Sequence, residues 1–390
     1  MPSKKIITKT ILLLSVVSLL TDMASEMLYP VTPLYLREIG FTTSMIGLLE
    51  GLSECIAGLS KGYFGTWSDN TGRRMPFVRM GYALSAISKP MMAVFNYPLW
   101  IFFSRTTDRT GKGLRTGARD AMLAAETTKE NMGKVFGFHR AMDTTGAVIG
   151  PFAALLFLYF FPDDYRSLFL WAFIPGAAAI IITFIVKEKK QTFTAAKKYP
   201  SFRSFYSYWL QSSVQYKKFT GALLFFALFN SSDVFLLLRL KENGLDDLML
   251  IAVYIIYNCI YALAAYPAGV YADKIGFKKM IAGGILLFAI VYGCFAVNTN
   301  SLFSVVLLML YGIYAAATES TAKAWISKNT AAQNTAAAIG TFTGFQSIAL
   351  FFASTITGIV WYKFGSEAAL GIPAVAALSV AVFIWVKVDE

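Results

Sequence analysis

The chain has 390 residues, of which 56% are hydrophobic and only 15% are charged, and its mean hydropathy is +0.55. Because a soluble domain carries about a quarter charged residues, this composition excludes an ordinary soluble protein and indicates an integral membrane protein. The net charge of +12 comes from basic residues that lie between apolar segments. No basic domain for nucleic acid is therefore expected.

Apolar segments long enough to cross about 30 Å of hydrocarbon recur along the whole chain. Lys4, Lys5 and Lys9 precede the apolar run 11–20. No small-x-small cleavage site follows, so this run is predicted to be an uncleaved first transmembrane helix. The predicted spans are, in order, 11–36, 43–67, 76–95, 98–123, 134–161, 167–186, 219–240, 247–272, 279–297, 301–326, 334–361 and 367–387. We predict an all-α integral membrane protein with twelve transmembrane helices.

The basic residues of the loops predict the orientation of the chain in the membrane. Lys and Arg are concentrated in alternate loops, at 68–74, 127–134, 187–218, 273–279 and 327–334. Cytoplasmic loops carry this excess, so both termini are predicted to lie in the cytoplasm. The longest of these loops, 187–218, has eight Lys or Arg against one Glu. It is predicted to be a basic cytoplasmic linker that lies on anionic membrane lipids; binding of a regulator is the alternative.

Cysteine and histidine usage gives no sign of a metal centre. Cys55, Cys259 and Cys294 lie inside apolar segments without C-x-x-C spacing, and His139 is the only histidine. Neither a zinc site nor a disulfide framework is expected from this pattern. The sequence T-G-K-G at 110–113 lacks the frame of a phosphate loop, and no set of nucleophile, base and orienting residue is evident. We therefore expect no metal, no cofactor and no enzymatic activity.

The two halves of the chain share a repeated turn. The segment 65–74 reads G-T-W-S-D-N-T-G-R-R, and the segment 269–279 reads G-V-Y-A-D-K-I-G-F-K-K. The spacing G-x-x-x-D-x-x-G matches at an offset of 204 residues. Two equivalent halves imply a pseudo-two-fold axis along the membrane normal and a site between the halves. The predicted domains are an N-terminal six-helix bundle (1–186), the linker (187–218) and a C-terminal six-helix bundle (219–390).

These features resemble the major facilitator superfamily over essentially the whole chain. The repeated turn resembles the signature loop of that family, although Asn70 stands where a basic residue is usual. Arg105 and Asp108 resemble its helix-four motif, and the G-A-V-I-G-P sequence at 146–151 resembles a motif of its antiporters. The segments D-R-T-G-K-G-L-R-T-G-A-R-D-A and F-G-F-H-R-A-M-D-T-T-G are similar to a bacterial branch whose substrates are mostly unassigned. The resemblance implies a multi-pass inner-membrane transporter that works by alternating access, with helices one, four, seven and ten lining a cavity.

Charged side chains recur inside the predicted helices, where a charge at the bilayer centre costs at least about 2.5 kcal/mol. Between Arg105 and Asp120 on the fourth helix, charges repeat every three or four positions and share one face. Arginine suits bidentate recognition of carboxylate or phosphate, so this face is predicted to bind an anionic group of the solute. The residues predicted to bind substrate are Arg109, Lys112, Arg115, Arg119, His139, Arg140 and Asn230.

Carboxylates on the first and fifth helices are predicted to carry protons. Asp22 and Glu26 lie one turn apart, and two carboxylates this close repel when both are ionised. Static ion pairs with arginines of the fourth helix are the alternative. Protonation of a carboxylate would free an arginine for substrate, which couples the two events. The residues predicted to take part in proton coupling are Asp22, Glu26, Arg105, Asp108 and Asp143.

The repeated turns are predicted to act as gates. A carboxylate near a helix N-terminus, with an arginine beside it, can hold one conformation closed; a solvated turn is the alternative. The residues predicted to gate are Asp69, Arg73, Arg74, Asp273 and Lys274.

Together these observations predict a monomeric secondary active transporter whose partners are a small-molecule substrate, protons and membrane lipids. The predicted activity is proton symport of a small polar or anionic organic solute, such as a polycarboxylate or a carboxylate siderophore. The alternative is proton-driven efflux of drugs or metabolites, which the G-x-x-x-G-P sequence favours. A receptor that uses this fold without transport is a third option.

Overall fold

The computed structural model describes residues 6–29, 31–32, 35–36, 39–40, 43–188, 204–245 and 247–387. These residues form thirteen α-helices and two short 3₁₀ turns, and no strand occurs among them. Most of the predicted linker, at 189–203, lies outside the described residues. The helices are α1 Lys9–Glu26, α2 Thr43–Thr71, α3 Met75–Val94, α4 Pro98–Ala125, α5 Met132–Phe160, α6 Tyr165–Ile185, α7 Ser204–Gln211, α8 Val214–Ala227, α9 Val234–Glu242, α10 Asp247–Ile275, α11 Phe277–Val297, α12 Ser301–Lys328 and α13 Thr335–Lys387.

The prediction of an all-helical membrane fold is confirmed, and most predicted spans match one helix each. The last two predicted spans both fall within α13, which is kinked at Gly365, where φ is 84°. By length and composition alone, six stretches of the described chain are apolar enough to cross a membrane. Helices α2 and α4 are not among these stretches because charged residues interrupt their apolar faces.

The prediction of one continuous seventh helix over 219–240 is wrong. The structure has α8 and α9 instead, separated by the polar run Asn230-Ser231-Ser232-Asp233. Short polar side chains compete with the helix for backbone hydrogen bonds, and this run finds other partners. The Ser232 amide donates to Ser354 Oγ at 3.1 Å, and the Asp233 carboxylate accepts from two tyrosines.

The contacts of the chain divide it into two compact units. The first unit comprises Met1–Lys129, Met142–Leu210 and Thr330–Gly344, and the second comprises Glu130–Ala141, Gln211–Asn329 and Phe345–Glu390. The N-terminal part of α5 thus packs with the second unit, and the N-terminal part of α13 packs with the first.

Inside the first unit, α4 is held tightly against its neighbours. A Cβ added at Gly111 would lie 2.6 Å from the Gly81 carbonyl oxygen, and one at Gly113 would lie 2.4 Å from Ser60 Cβ. Only glycine allows helix backbones to approach this closely. Most of the C-terminal half of α4 is buried as a result, including Arg115, Arg119 and Asp120.

Inside the second unit, aromatic rings fill the space between α8, α10, α11 and α12. Trp325 is 2% exposed and stacks on Phe219 with ring centroids 3.8 Å apart. Arg239 of α9 is also buried. It donates to the carbonyl oxygens of Phe295, Ala296 and Asn298, which are the free acceptors at the C-terminal end of α11.

Candidate functional site

The central feature of the first unit is a buried guanidinium on α4. Arg115 is 7% exposed; it donates to Ser85 Oγ, and its guanidinium carbon lies 4.6 Å from the centre of the Tyr82 ring. Among the described residues, no carboxylate lies within ion-pair distance of Arg115. The ring and the hydroxyl satisfy part of the guanidinium without neutralising its charge.

One turn further along α4, Arg119 belongs to a chain of polar groups. It pairs with Asp120 at 2.8 Å and donates to Ser18 Oγ at 3.0 Å. Ser18 in turn donates to Asp143 Oδ1. A single hydroxyl on α1 therefore connects a predicted substrate-binding arginine with a predicted proton-coupling carboxylate.

Asp108 pairs with a lysine that the sequence analysis passed over. Lys89 of α3 is buried, lies 2.9 Å from Asp108 Oδ1 and also donates to Ser25 Oγ at 3.1 Å. A single lysine within an otherwise apolar predicted span is the signal that could have identified it. A small cavity of about 20 Å³ adjoins the pair, and Ser88, Ser104 and Arg105 contribute to its polar lining.

In the second unit, Arg140 of α5 pairs with Glu319 of α12 at 2.7 Å. It also donates to the Tyr261 hydroxyl and lies over that ring, 4.7 Å from its centre. Asn230 donates to the Tyr314 hydroxyl at 3.1 Å. These contacts place Arg140 and Asn230 next to tyrosines of α10 and α12, which the sequence analysis did not select.

The remaining residues predicted to bind substrate or protons lie on α1, α4 and α5. His139 is buried on α5, whereas Arg105 and Arg109 are half-buried on α4 and Lys112 is exposed there. Asp22 and Glu26 are half-buried on α1, with Glu26 at the C-terminal end of the helix.

The first repeated turn binds the N-terminus of α13. Asp69 accepts a hydrogen bond from the Ala337 amide at 2.8 Å and pairs with Arg74 at 3.0 Å. Arg74 also donates to the Ala332 carbonyl oxygen at 2.7 Å. Asp69 follows the predicted span 43–67, and its burial raises the pKa of the carboxyl to about 6, although the Arg74 charge opposes this shift.

The second repeated turn binds the N-terminus of α5 in the same way. Asp273 accepts from the amides of Gly133 and Lys134 at 2.8 and 2.9 Å. Carboxylates at these positions satisfy amides that have no partner inside the helix. The other predicted gating residues, Arg73 and Lys274, are exposed.

The glycines of the repeated turns have two separate roles. A Cβ at Gly65 would lie 2.5 Å from the Ala336 carbonyl oxygen, and one at Gly269 would lie 2.0 Å from that of Gly133. The first glycine of each turn therefore permits close helix contact. The last glycine of each turn has a positive φ, which is 63° at Gly72 and 96° at Gly276. Residues with a side chain rarely adopt this conformation.

Comparison with known proteins assigns the chain to a family. The sequence profile of the Major Facilitator Superfamily matches residues 14–259 and 219–390. The chain belongs to the major facilitator superfamily. An uncharacterised MFS-type transporter of Methanocaldococcus jannaschii is 32% identical over 368 residues, which cover 91% of this chain and 89% of that protein. The predicted family membership is thus confirmed.

Other superfamily members are more distant. The quinolone resistance protein NorA of Staphylococcus aureus is 26% identical over 122 residues, 31% of each chain. Among solved structures, the human organic anion transporter MFSD10 has a TM-score of 0.81 at 14% identity, covering 96% of this chain and 98% of its own. The proton:xylose symporter XylE has a TM-score of 0.77 at 16% identity, covering 98% and 95%. At these identities the two structures show the fold alone.

Proposed function

We propose that this transporter moves a small organic anion across the inner membrane together with protons, as a monomer with both termini in the cytoplasm. The observation that carries the proposal is Arg115, a buried guanidinium with no carboxylate partner among the described residues. A buried charge without a counter-ion is strongly destabilising. A substrate carboxylate or phosphate supplies the missing charge, and the planar guanidinium binds such groups with two parallel hydrogen bonds.

The proposed coupling runs through Ser18. When Asp143 is ionised, Ser18 donates to it and accepts from Arg119. Protonation of Asp143 removes the negative charge at the end of this series of hydrogen bonds. The hydrogen bond from Arg119 to Ser18 is weakened as a result. The substrate anion then binds next to Arg119 and Arg115 more favourably, so proton and anion bind with positive coupling. Asp22 and Glu26 on α1 are further proton carriers in this proposal.

The repeated turns are proposed to act as gates. Asp69 and Asp273 each hold the N-terminus of a helix that begins far away in the sequence. Breaking these contacts leaves several buried polar groups without their hydrogen bonds at the same time. Each turn therefore favours two discrete conformations, closed and open, over intermediate ones.

Efflux by proton antiport is the second candidate, and the packing of α5 against α1 favours it. A Cβ at Gly146 would lie 2.3 Å from the Leu19 carbonyl oxygen, and one at Gly150 would lie 2.5 Å from that of Met23. The G-x-x-x-G-P sequence thus forms a close helix contact, and NorA is named for quinolone resistance. Among the described residues Arg115 has no ion pair, and an anionic substrate explains this better.

Two measurements on the purified protein test the proposal. The first is thermal stabilisation by a panel of di- and tricarboxylates, carboxylate siderophores, phosphate esters and lipophilic cations. The second is uptake of the best-stabilising anion into proteoliposomes with and without an inward proton gradient. Arg115→Gln should abolish thermal stabilisation by the anion. Arg115→Lys should retain only part of this stabilisation, because lysine cannot form two parallel hydrogen bonds to a carboxylate or phosphate.

Arg166→Gln is the matched control, because Arg166 is exposed at the start of α6. This variant should be stabilised by the anion, and should transport it, to the same extent as the wild type. Asp143→Asn should bind the anion but lose the dependence of uptake on the proton gradient. Stabilisation by lipophilic cations alone, or full anion binding by Arg115→Gln, would contradict the proposed substrate class.

A further inference from the structure

A carboxylate of the second unit lies at the break between α8 and α9. Asp233 immediately precedes α9 and is partly buried. The Tyr311 hydroxyl donates to its Oδ1 at 2.8 Å, and the Tyr257 hydroxyl donates to its Oδ2 at 3.2 Å. Both carboxylate oxygens are thus held by tyrosines of two other helices, α12 and α10.

Among the described residues, no cation pairs with Asp233. The charged groups that act on it are Glu319 of α12 and Arg140 of α5, and these two pair with one another at 2.7 Å. Among the described residues, the other titratable groups that act on it are tyrosines, namely Tyr257 on α10, Tyr292 on α11, and Tyr311 and Tyr314 on α12. An ionised carboxylate in this apolar surrounding is costly unless a cation neutralises it.

Buried aromatic rings pack closely against one another beside Asp233. Tyr257 and Tyr311 are 4% and 3% exposed and stack with centroids 5.7 Å apart. Tyr292 is fully buried and lies 6.0 Å from Tyr311, ring to ring. An organic ammonium group would have to displace these rings to reach the carboxylate, whereas a proton needs no such space. The packing therefore favours a proton over a larger cation.

We propose that Asp233 is a proton-binding site of the second unit and that its protonation loosens the break between α8 and α9. The ionised carboxylate accepts two charge-assisted hydrogen bonds, one from each tyrosine. Uptake of one proton from water makes it a neutral acid with its own O–H donor, so the bond to at least one tyrosine weakens. The two tyrosines then hold the start of α9 less firmly against α10 and α12. This inference rests on the proposed function, because it takes the proton as the ion that drives transport.

Infrared difference titration of the purified full-length protein in lipid tests this site directly. The C=O stretching band of a protonated carboxyl group is followed from about pH 5 to about pH 8, where ordinary carboxyl groups are already ionised. Asp69, whose pKa is about 6, contributes one component of this band in every variant. We expect the wild type to show a further component that Asp233→Asn lacks. Glu367→Gln, which removes an exposed carboxyl of the same unit, should keep it. Tyr311→Phe removes one donor to the ionised form, so the band should persist to higher pH by roughly one unit.

The outcomes separate this inference from the proposed function. If Asp233→Asn leaves the band unchanged while uptake is still driven by protons, the Asp233 site is refuted and proton-coupled transport stands. If the band belongs to Asp233 but uptake ignores the proton gradient, the transport proposal fails and the site stands. Hydrogen exchange of residues 228–236 adds a second readout. Relative to the intrinsic rate at each pH, it should become faster on acidification in the wild type and lose this dependence in Asp233→Asn; an unchanged dependence would contradict the loosening.

Discussion

Replacing Gly269 with alanine should separate α10 from the N-terminus of α5. The added Cβ would lie 2.0 Å from the Gly133 carbonyl oxygen and 2.7 Å from its carbonyl carbon. Both partners are backbone atoms, so no flexible side chain can move aside. Ordinary contact begins at 3.4 Å, so the two backbones must separate by roughly 1.4 Å.

The energetic cost of this separation follows from the contacts that it breaks. Overpacking costs about 1–3 kcal/mol. The shift also draws Asp273 away from the amides of Gly133 and Lys134, and each hydrogen bond to a charged group contributes about 1.5–3 kcal/mol. Alanine regains about 1 kcal/mol of helix propensity. With about 2 kcal/mol for overpacking, about 1 kcal/mol for hydrogen bonds that are lengthened rather than lost, and about 1 kcal/mol regained, we expect a net cost of about 2 kcal/mol. This corresponds to a roughly 30-fold change in an opening equilibrium.

Amide hydrogen exchange measured by mass spectrometry checks this prediction. Peptides that contain residues 132–137 should exchange roughly 30-fold faster in Gly269→Ala than in the wild type, because local opening becomes easier. Gly283→Ala is the matched control, since a Cβ there has no atom within 4 Å. It should leave exchange unchanged or slow it slightly. Equal exchange in Gly269→Ala and Gly283→Ala would refute the close contact as the role of Gly269.

Two further predictions concern buried carboxylates of the first unit. When Asp69 is buried against the N-terminus of α13, its pKa is about 6, so it binds a proton more tightly than it would in an opened, solvated state with the ordinary value of 3.8. The contact with α13 is therefore stabilised as pH falls through about 6, and this stabilisation is lost as pH rises. Exchange at Ala337, corrected for its intrinsic rate, should be slower at about pH 5 than at about pH 7, and the same pH dependence in Asp69→Asn would argue against Asp69 as its source. Lys89→Met and Asp108→Asn should each lower thermal stability by about 3–5 kcal/mol, because each leaves a buried charge or polar group without its partner. The double variant should lose much less stability than the sum of the two single losses. Losses that simply add would show that Lys89 and Asp108 are not coupled.

Much of the fold follows from local features of the sequence. The spacing of apolar runs, the basic alternate loops and the repeated G-x-x-x-D-x-x-G turn predict the helices and the family, because span length and backbone hydrogen bonding restrict what can cross a membrane. The break at Asn230–Asp233 was missed because the surrounding sequence is apolar enough for a continuous helix. The polar run departs from the helix only because Tyr257, Tyr311 and Ser354 offer it partners from other segments.

The sequence by itself determined which helices carry charge, and on α4 also the face, because the helical period fixes which side chains share a side. Only the tertiary structure decided the partner of each charge. Lys89 neutralises Asp108 and Glu319 pairs with Arg140, whereas Arg115 has a hydroxyl and a ring in place of a carboxylate. Ion pairing depends on distances of a few ångströms between side chains that lie 19 to 179 positions apart, and such distances are set by how glycine-lined helices pack, not by local spacing. The pattern of charge could therefore be predicted from the sequence, whereas the lack of an ion pair to Arg115 among the described residues is visible only in the tertiary structure.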